Sequence, residues 1–370
     1  MTHAPHDLLD QLAGIAPDSP LAQARAKRSE ARKHTQLSYE ALFEVPADSQ
    51  PTLAERLELA RQSALLHEDS RLAEHYAQRL QALGGVTQTP RLEAARHHAR
   101  ALAVSPLRTQ AEDLAQLLEA GWTVTAIVTL SQIVAFVSYQ SRLLSGYRLL
   151  LGDSGAAATG TALAGDWHQH AITRSGHRAP THFTQQALEW EAWLPALTIE
   201  ELAEPIRQEL SAWQLLDHPY FRLLARDFPI LLHRRLADLD IFFGRGGLPR
   251  AERELAAAVT SKVNGCIFCA SVHASRASQL SRRQEDVQRL LDTAAGHDLS
   301  SGQEPLWAAQ VDFAASLATT PAVVTHAQLQ TLRDQGLDTL QLLDLVQAVA
   351  FFSWANRLML SLGEPWWPDN

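Results

Sequence analysis

The chain has 370 residues, 46% hydrophobic and 20% charged, with a formal net charge of −9. That balance excludes wholesale disorder, and the length suits two domains, each able to bury its own core. The acidic excess, with arginines in pairs such as Arg234-Arg235 and Arg282-Arg283 rather than in tracts, argues against a nucleic-acid partner.

Apolar residues recur at three- and four-residue spacings over Thr52–His67, Asp69–Leu83 and Pro90–Val104, which predicts three helices. Gly84-Gly85 stops the second of them. Thr109–Ala120 stops at Gly121, and a long helix follows to about Leu151. Its apolar run is interrupted by Gln132, Ser138, Gln140, Arg142 and Arg148, so it reads as a buried helix rather than a membrane span. The first ten residues lack the basic and apolar regions of a signal peptide, and the expectation is a cytoplasmic protein without a membrane partner.

From Gly152 the composition turns to small and polar residues, which sets a linker at 152–182 between domains 1–151 and 183–370. His168, His170, His177 and His182 fall in or beside it; a polar linker is the plainer reading than a metal site. Beyond it, Thr198–Glu201 has capping-box form. A long apolar helix over Pro219–Phe243 is broken at Pro229, and Pro249–Asn264 ends at Gly265. Another helix begins near Cys266, and Trp307–Ala318, His326–Gln335 and Thr339–Leu362 complete the set. Strand-like alternation is absent, so the fold class is all-α.

The two halves repeat each other. Leu130–Leu143 aligns with Leu345–Leu358, sharing Gln, Ser and Arg as well as apolar residues, and the match extends back to Gly121/Gly336 and Leu117/Leu332. Apolar helices resemble one another by hydrophobicity alone; retention of polar residues in register indicates duplication. The expectation is two similar helical modules packed as an intrachain pseudo-dimer.

Both cysteines lie in the second copy, as Cys266-Ile-Phe-Cys269, with His273 four residues on. On a helix the three fall within an arc of about 60°. Gly265 places the thiols in a first turn, where the helix N-terminus is expected to lower their pKa values. Such a pair can attack an electrophile and resolve as a disulfide, with His273 moving a proton. Glu254, on the preceding helix, comes within reach if the two helices run antiparallel. A structural zinc needs four ligands and only three cluster here. Burial as small hydrophobes leaves the in-line histidine unexplained. A thioredoxin-like site needs a βαβ setting that the sequence lacks.

Glu254, Cys266, Cys269 and His273, with the helix ending Phe351–Leu358, resemble the alkylhydroperoxidase D and carboxymuconolactone decarboxylase superfamily, an all-α group. The resemblance covers about Phe183–Pro365. Residues 1–150 more weakly resemble a companion family, so the chain looks like a fusion of two such domains. The resemblance implies a thiol peroxidase that reduces alkyl hydroperoxides without a cofactor. Cys269 would be the peroxidatic thiol, Cys266 the resolving thiol, and Glu254/His273 a proton relay. Helix position alone favours the reverse order of thiols. An external dithiol, such as a lipoyl or thioredoxin-like protein, would be the reductant, and the assembly a homo-oligomer, dimer or trimer. The family's additional histidine between the cysteines is Phe268 here, and the first copy has no cysteine. A decarboxylase-like lyase and a non-enzymatic thiol redox sensor are the alternative readings.

Overall fold

A computed structural model describes residues 7–153 and 163–368. In chain order the first half forms α1 (Leu8–Ala13), α2 (Pro20–Lys27), α3 (Ser29–Phe43), α4 (Leu53–Leu66), α5 (Ser70–Ala82), α6 (Pro90–Val104), α7 (Ala111–Glu119) and α8 (Val124–Leu150). The second half forms β1 (Glu189–Ala192), α9 (Glu204–Ala212), α10 (Pro219–Leu224), α11 (Phe228–Phe243), α12 (Arg250–Asn264) and α13 (Ile267–Ser281). It continues with α14 (Gln284–Asp292), α15 (Pro305–Ala318), α16 (His326–Asp334), α17 (Thr339–Ser361) and β2 (Gly363–Trp366). The fold is all-α.

Local signals set the helix ends. Capping boxes open α4 at Thr52/Glu55, α16 at Thr325/Gln328 and α17 at Asp338/Gln341, each satisfying otherwise orphaned backbone donors. Gly121 and Gly336 follow α7 and α16 at φ 90° and 93°, in the left-handed region that costs glycine least. Thr198 and Glu201 exchange capping hydrogen bonds, but the segment stays a turn, and α9 starts only at Glu204. The predicted break of the long apolar segment lies before Pro229: a short 3-10 turn over Ala225–Asp227 ends α10's run, and Pro229 sits in the first turn of α11, where its missing N–H is tolerated.

Three features differ from the sequence reading. Residues 8–43, unassigned there, form α1–α3, and α14 is an extra helix of the second half. One short pair of strands, not located from the sequence, is present: β1 and β2 pair antiparallel, Glu189 opposite Trp366 and Ala192 opposite Gly363. A strand of four residues is too short to show alternation. The small-residue run expected as linker falls mainly on residues 154–162, outside the described residues. Residues 163–182 lie against the second copy, with hydrogen bonds from Ala164 N to His297 O and from Gly296 N to Ala164 O, both 2.8 Å.

Positions that align between the two halves make like polar contacts. Arg56 on α4 donates to the backbone oxygens of Pro51 and Leu42; Arg253 on α12 donates to those of Leu248 and Ile241. The turns after these helices both carry a left-handed residue, Glu68 at φ 57° and Gly265 at φ 78°. The matched helices α8 and α17 pack against each other, as do α3 and α11. The buried Arg142 of α8 reaches across to the oxygens of Ala318 and Thr319 at the end of α15, while Arg357 of α17 reaches back to Ala103 O at the end of α6. Each guanidinium thereby satisfies carbonyls that a helix C-terminus leaves without partners. The contact is reciprocal, as at an isologous interface. Of the described helices, α8 is long and apolar enough to cross a membrane, and it is buried against α17, α4 and α6.

A second reciprocal pair sits at the starts of α3 and α11. Asp227, before α11, accepts from Thr129 Oγ1 of α8 at 2.6 Å. Arg28, before α3, binds Asp344 of α17 through Nε and Nη2 at 2.7 and 2.8 Å. Asp344 also pairs with Arg253 at 3.0 Å and accepts from Leu248 N at 2.9 Å; its side chain is fully buried. Gly247 (φ 71°) passes so close that an added Cβ would lie 2.1 Å from the Asp344 carboxylate.

Asp344→Ala leaves two buried guanidiniums without their carboxylate and is expected to cost about 3–5 kcal/mol of folding stability, read by urea denaturation. A loss within experimental error would show that the network does not hold the two halves together. A second expectation concerns pH. Burial pushes His98 from 6.5 down to about 4. Between those values the unfolded chain takes up a proton that the folded chain refuses, so stability falls as pH falls through this window. His98→Gln should flatten that slope; an unchanged slope would assign it to other groups.

Candidate functional site

α12 and α13 form an antiparallel hairpin turned at Gly265, which brings together all four residues singled out from the sequence. Cys266 occupies the N-cap of α13 and Cys269 lies in its first turn. Glu254 projects from the buried face of α12 and is 0% exposed. His273 Nδ1 and Glu254 Oε2 are 2.5 Å apart, and Arg250 Nε donates to the other carboxylate oxygen at 3.1 Å. The His273 ring is wedged edge-on against Phe352, 4.1 Å between centroids, with Phe242 on another side. With Nδ1 engaged by Glu254, Nε2 is the ring nitrogen left to exchange a proton with whatever enters beside it.

Burial works to raise the Glu254 pKa, but the hydrogen bond and charge of His273, with Arg276 and Arg250, outweigh it and hold the carboxyl below its usual range. Glu254 therefore stays ionised and orients the imidazole. Cys266 behaves differently from the sequence expectation. Its thiol sits against the Cys269 side chain and backbone N–H and the Asn356 side chain. The two N–H contacts favour a thiolate, as the N-cap position predicts, yet desolvation dominates and pushes the thiol well up. The residue at the matching N-cap of α5 is Asp69, whose carboxylate accepts from Leu72 N. There an ion pair with Arg148 compensates the buried charge. Among the described residues Cys266 has no such cationic partner, and it rests as a neutral thiol.

Two cavities reach the cysteines from different sides. One, about 440 Å³, is lined by Cys269, His273, Trp190, Tyr220, Arg234 and Phe352, among others from α10, α11 and α17. The other, about 300 Å³, is lined by Cys266, Gly265, His168, His170 and residues of the segment joining α6 to α7 in the first copy. Phe268 and Met359 border both. Thus Cys269 shares its cavity with the Glu254-oriented histidine, and Cys266 does not.

The sequence reading missed Asn356, Tyr220 and Arg234. Asn356 is legible only as a difference within the repeat, since the first copy has Ser141 at that position. The sequence reading takes Arg234 only as half of the Arg234-Arg235 pair, although an arginine within the apolar run Pro219–Phe243 is itself a signal. In the first copy the positions of Glu254, Cys269 and His273 are taken by Leu57, Leu72 and Tyr76, all 0% exposed, and Tyr76 donates to Gln140 at 2.6 Å. That copy fills its centre with side chains. Of the linker histidines, His168 and His170 stack on each other, His177 pairs with Glu191, and His182 lies beside Trp367. Among the described residues, no group of three or more His, Cys, Asp or Glu is placed to hold a metal ion.

Residues 233–300 match the carboxymuconolactone decarboxylase family. The matched stretch runs from α11 to just beyond α14 and contains Glu254, both cysteines and His273. No curated protein matches the chain.

In the native reduced protein, iodoacetamide is expected to label Cys269 before Cys266, as read by peptide mass spectrometry. Cys266 reacting first would mean that its N-cap position prevails over its burial.

Proposed function

We propose that the protein is a thiol-dependent peroxidase in which Cys269 attacks an alkyl hydroperoxide. The observation that carries the reading is the pairing of His273 with ionised Glu254 in the cavity that Cys269 lines. His273 Nε2 takes the Cys269 proton, and the thiolate attacks the terminal peroxide oxygen. The O–O bond breaks, an S–O bond forms, and the leaving alkoxide takes back from His273 the proton that Cys269 gave, departing as the alcohol and leaving Cys269 sulfenic acid. The neutral Cys266 thiol, already against Cys269, then displaces hydroxide from that sulfur. The hydroxide leaves as water with the Cys266 proton, and a Cys266–Cys269 disulfide remains. An external dithiol supplies two electrons and two protons to restore both thiols. The chemistry needs no bound cofactor.

Two features favour Cys269 as the attacking sulfur. It shares a cavity with the histidine, and Cys266 is held neutral by burial, which suits a residue that acts second. Phe268 stands where related sites carry another histidine, so proton transfer here rests on Glu254–His273 alone. A lyase acting on a lactone acid leaves the adjacent thiols without a role.

The test is peroxide consumption in the presence of dithiothreitol. Cys269→Ser should abolish turnover, and Cys266→Ser should trap the sulfenic acid on Cys269, detectable with dimedone. Glu254→Gln should slow disulfide formation about 100-fold, the usual contribution of a positioned proton acceptor. Unchanged turnover in both cysteine variants would sink the peroxidase reading, and dimedone adducts on Cys266 alone would reverse the assignment of thiols.

A further inference from the structure

From the larger cavity we infer that the hydroperoxide it takes carries a carboxylate, held by Arg234 and Tyr220 while the peroxide end meets Cys269. This rests on the peroxidase reading and specifies its substrate class. Arg234 projects from α11 into the cavity and is 6% exposed. Its Nε is buried without an acceptor, and among the described residues no carboxylate pairs with the guanidinium. Instead it stacks over three rings, Phe351 at 5.2 Å, Tyr220 at 5.8 Å and Trp354 at 5.8 Å. The Tyr220 hydroxyl, on α10 and 5% exposed, is also buried without a partner.

Two unpartnered polar groups in one buried site are unusual, because each forfeits hydrogen bonds it had in water. Both are donors, and one is a permanent cation, so the missing group is an anionic acceptor. A planar guanidinium held by aromatic faces is pre-organised for a carboxylate. The acidic residue nearest on the same helix, Asp238, is engaged by Arg235 at 2.5 Å and does not compete. Of the other charges at this cavity, Glu189 and Arg276 are exposed; Glu254 lies behind His273 and does not line it. Apart from the exposed Gln214 and His218, the remaining lining is largely aromatic and aliphatic, suited to an apolar body between the carboxylate and the peroxide. The N-terminal copy offers no counterpart, since its centre is filled.

The experiment compares cumene hydroperoxide with its para-carboxylate, two substrates that differ in that group alone. The wild-type protein should show a kcat/KM at least tenfold higher for the carboxylate. Arg234→Met should lower that preference about 10- to 100-fold, the fold-change expected from losing a charge-assisted hydrogen bond. Tyr220→Phe, which removes one oxygen and keeps the ring, should lower it several-fold and serves if Arg234→Met does not fold. A second readout needs no turnover: 4-isopropylbenzoate should protect Cys269 from iodoacetamide in the wild-type protein, and its neutral amide should not. Protection by the acid without oxidation by either hydroperoxide would sustain the anion site and sink the peroxidase reading. Oxidation by both hydroperoxides at equal rates, without protection, would leave the peroxidase reading standing and overturn this inference. Equal loss on both substrates in Arg234→Met, with the preference kept, would also overturn it, because it would make the guanidinium a support for the thiolate.

Discussion

The fold turns on one buried carboxylate. Asp344 binds Arg28 from the N-terminal helices and Arg253 from the helix that carries Glu254, and it accepts the Leu248 N–H of the loop entering that helix. Each of these groups would be costly to bury alone; here two guanidiniums share one carboxylate, and their remaining N–H groups go to backbone carbonyls. Arg28 further satisfies the carbonyls of Arg245 and Gly246, so the loop's backbone is accounted for by the same cluster. Glu254 is the residue next to Arg253, and its place against His273 follows from how Arg253 fixes the rotation and height of α12. The chemistry proposed for the site therefore depends on a contact made by a residue near the other end of the chain.

The aligned positions of the two halves differ most at the centre. Where one buries Leu57, Leu72 and Tyr76, the other buries Glu254, Cys269 and His273, and leaves a cavity beside them. Substituting polar titratable groups for apolar ones destabilises a core unless each finds a partner, which Glu254 and His273 do in each other. At these positions the first half keeps dense apolar packing. The second keeps its reactive groups, with Arg234 and Tyr220 left unpartnered in the cavity wall.

Much of this was legible in the sequence because helices announce themselves at short range. The 3.6-residue period located α4–α8 and α11–α17 apart from α14, and the Cys-x-x-Cys-x-x-x-His spacing placed three site residues on one face. The repeat showed that Gln132, Ser138 and Arg142 correspond to Gln347, Ser353 and Arg357, though not that the two arginines cross to the opposite copy. What stayed hidden depends on distance and burial. The β1–β2 pair joins segments from opposite ends of the second half, each too short to carry a period. The N-cap argument for an acidic Cys266 was sound in its electrostatics and wrong in its outcome, because no local pattern reveals how completely a thiol is desolvated. Arg234 differs from Arg235 in sequence by nothing except its neighbours in space.

The reciprocal reach of Arg142 and Arg357 has a consequence for how this scaffold assembles. Were the copies separate chains, those contacts would form only on collision, and the fraction of intact sites would fall on dilution. Joined in one polypeptide, they close intramolecularly, and these two contacts do not depend on how much protein is present. The N-terminal half's part in that closure is the carbonyl of Ala103 and the guanidiniums of Arg28 and Arg142.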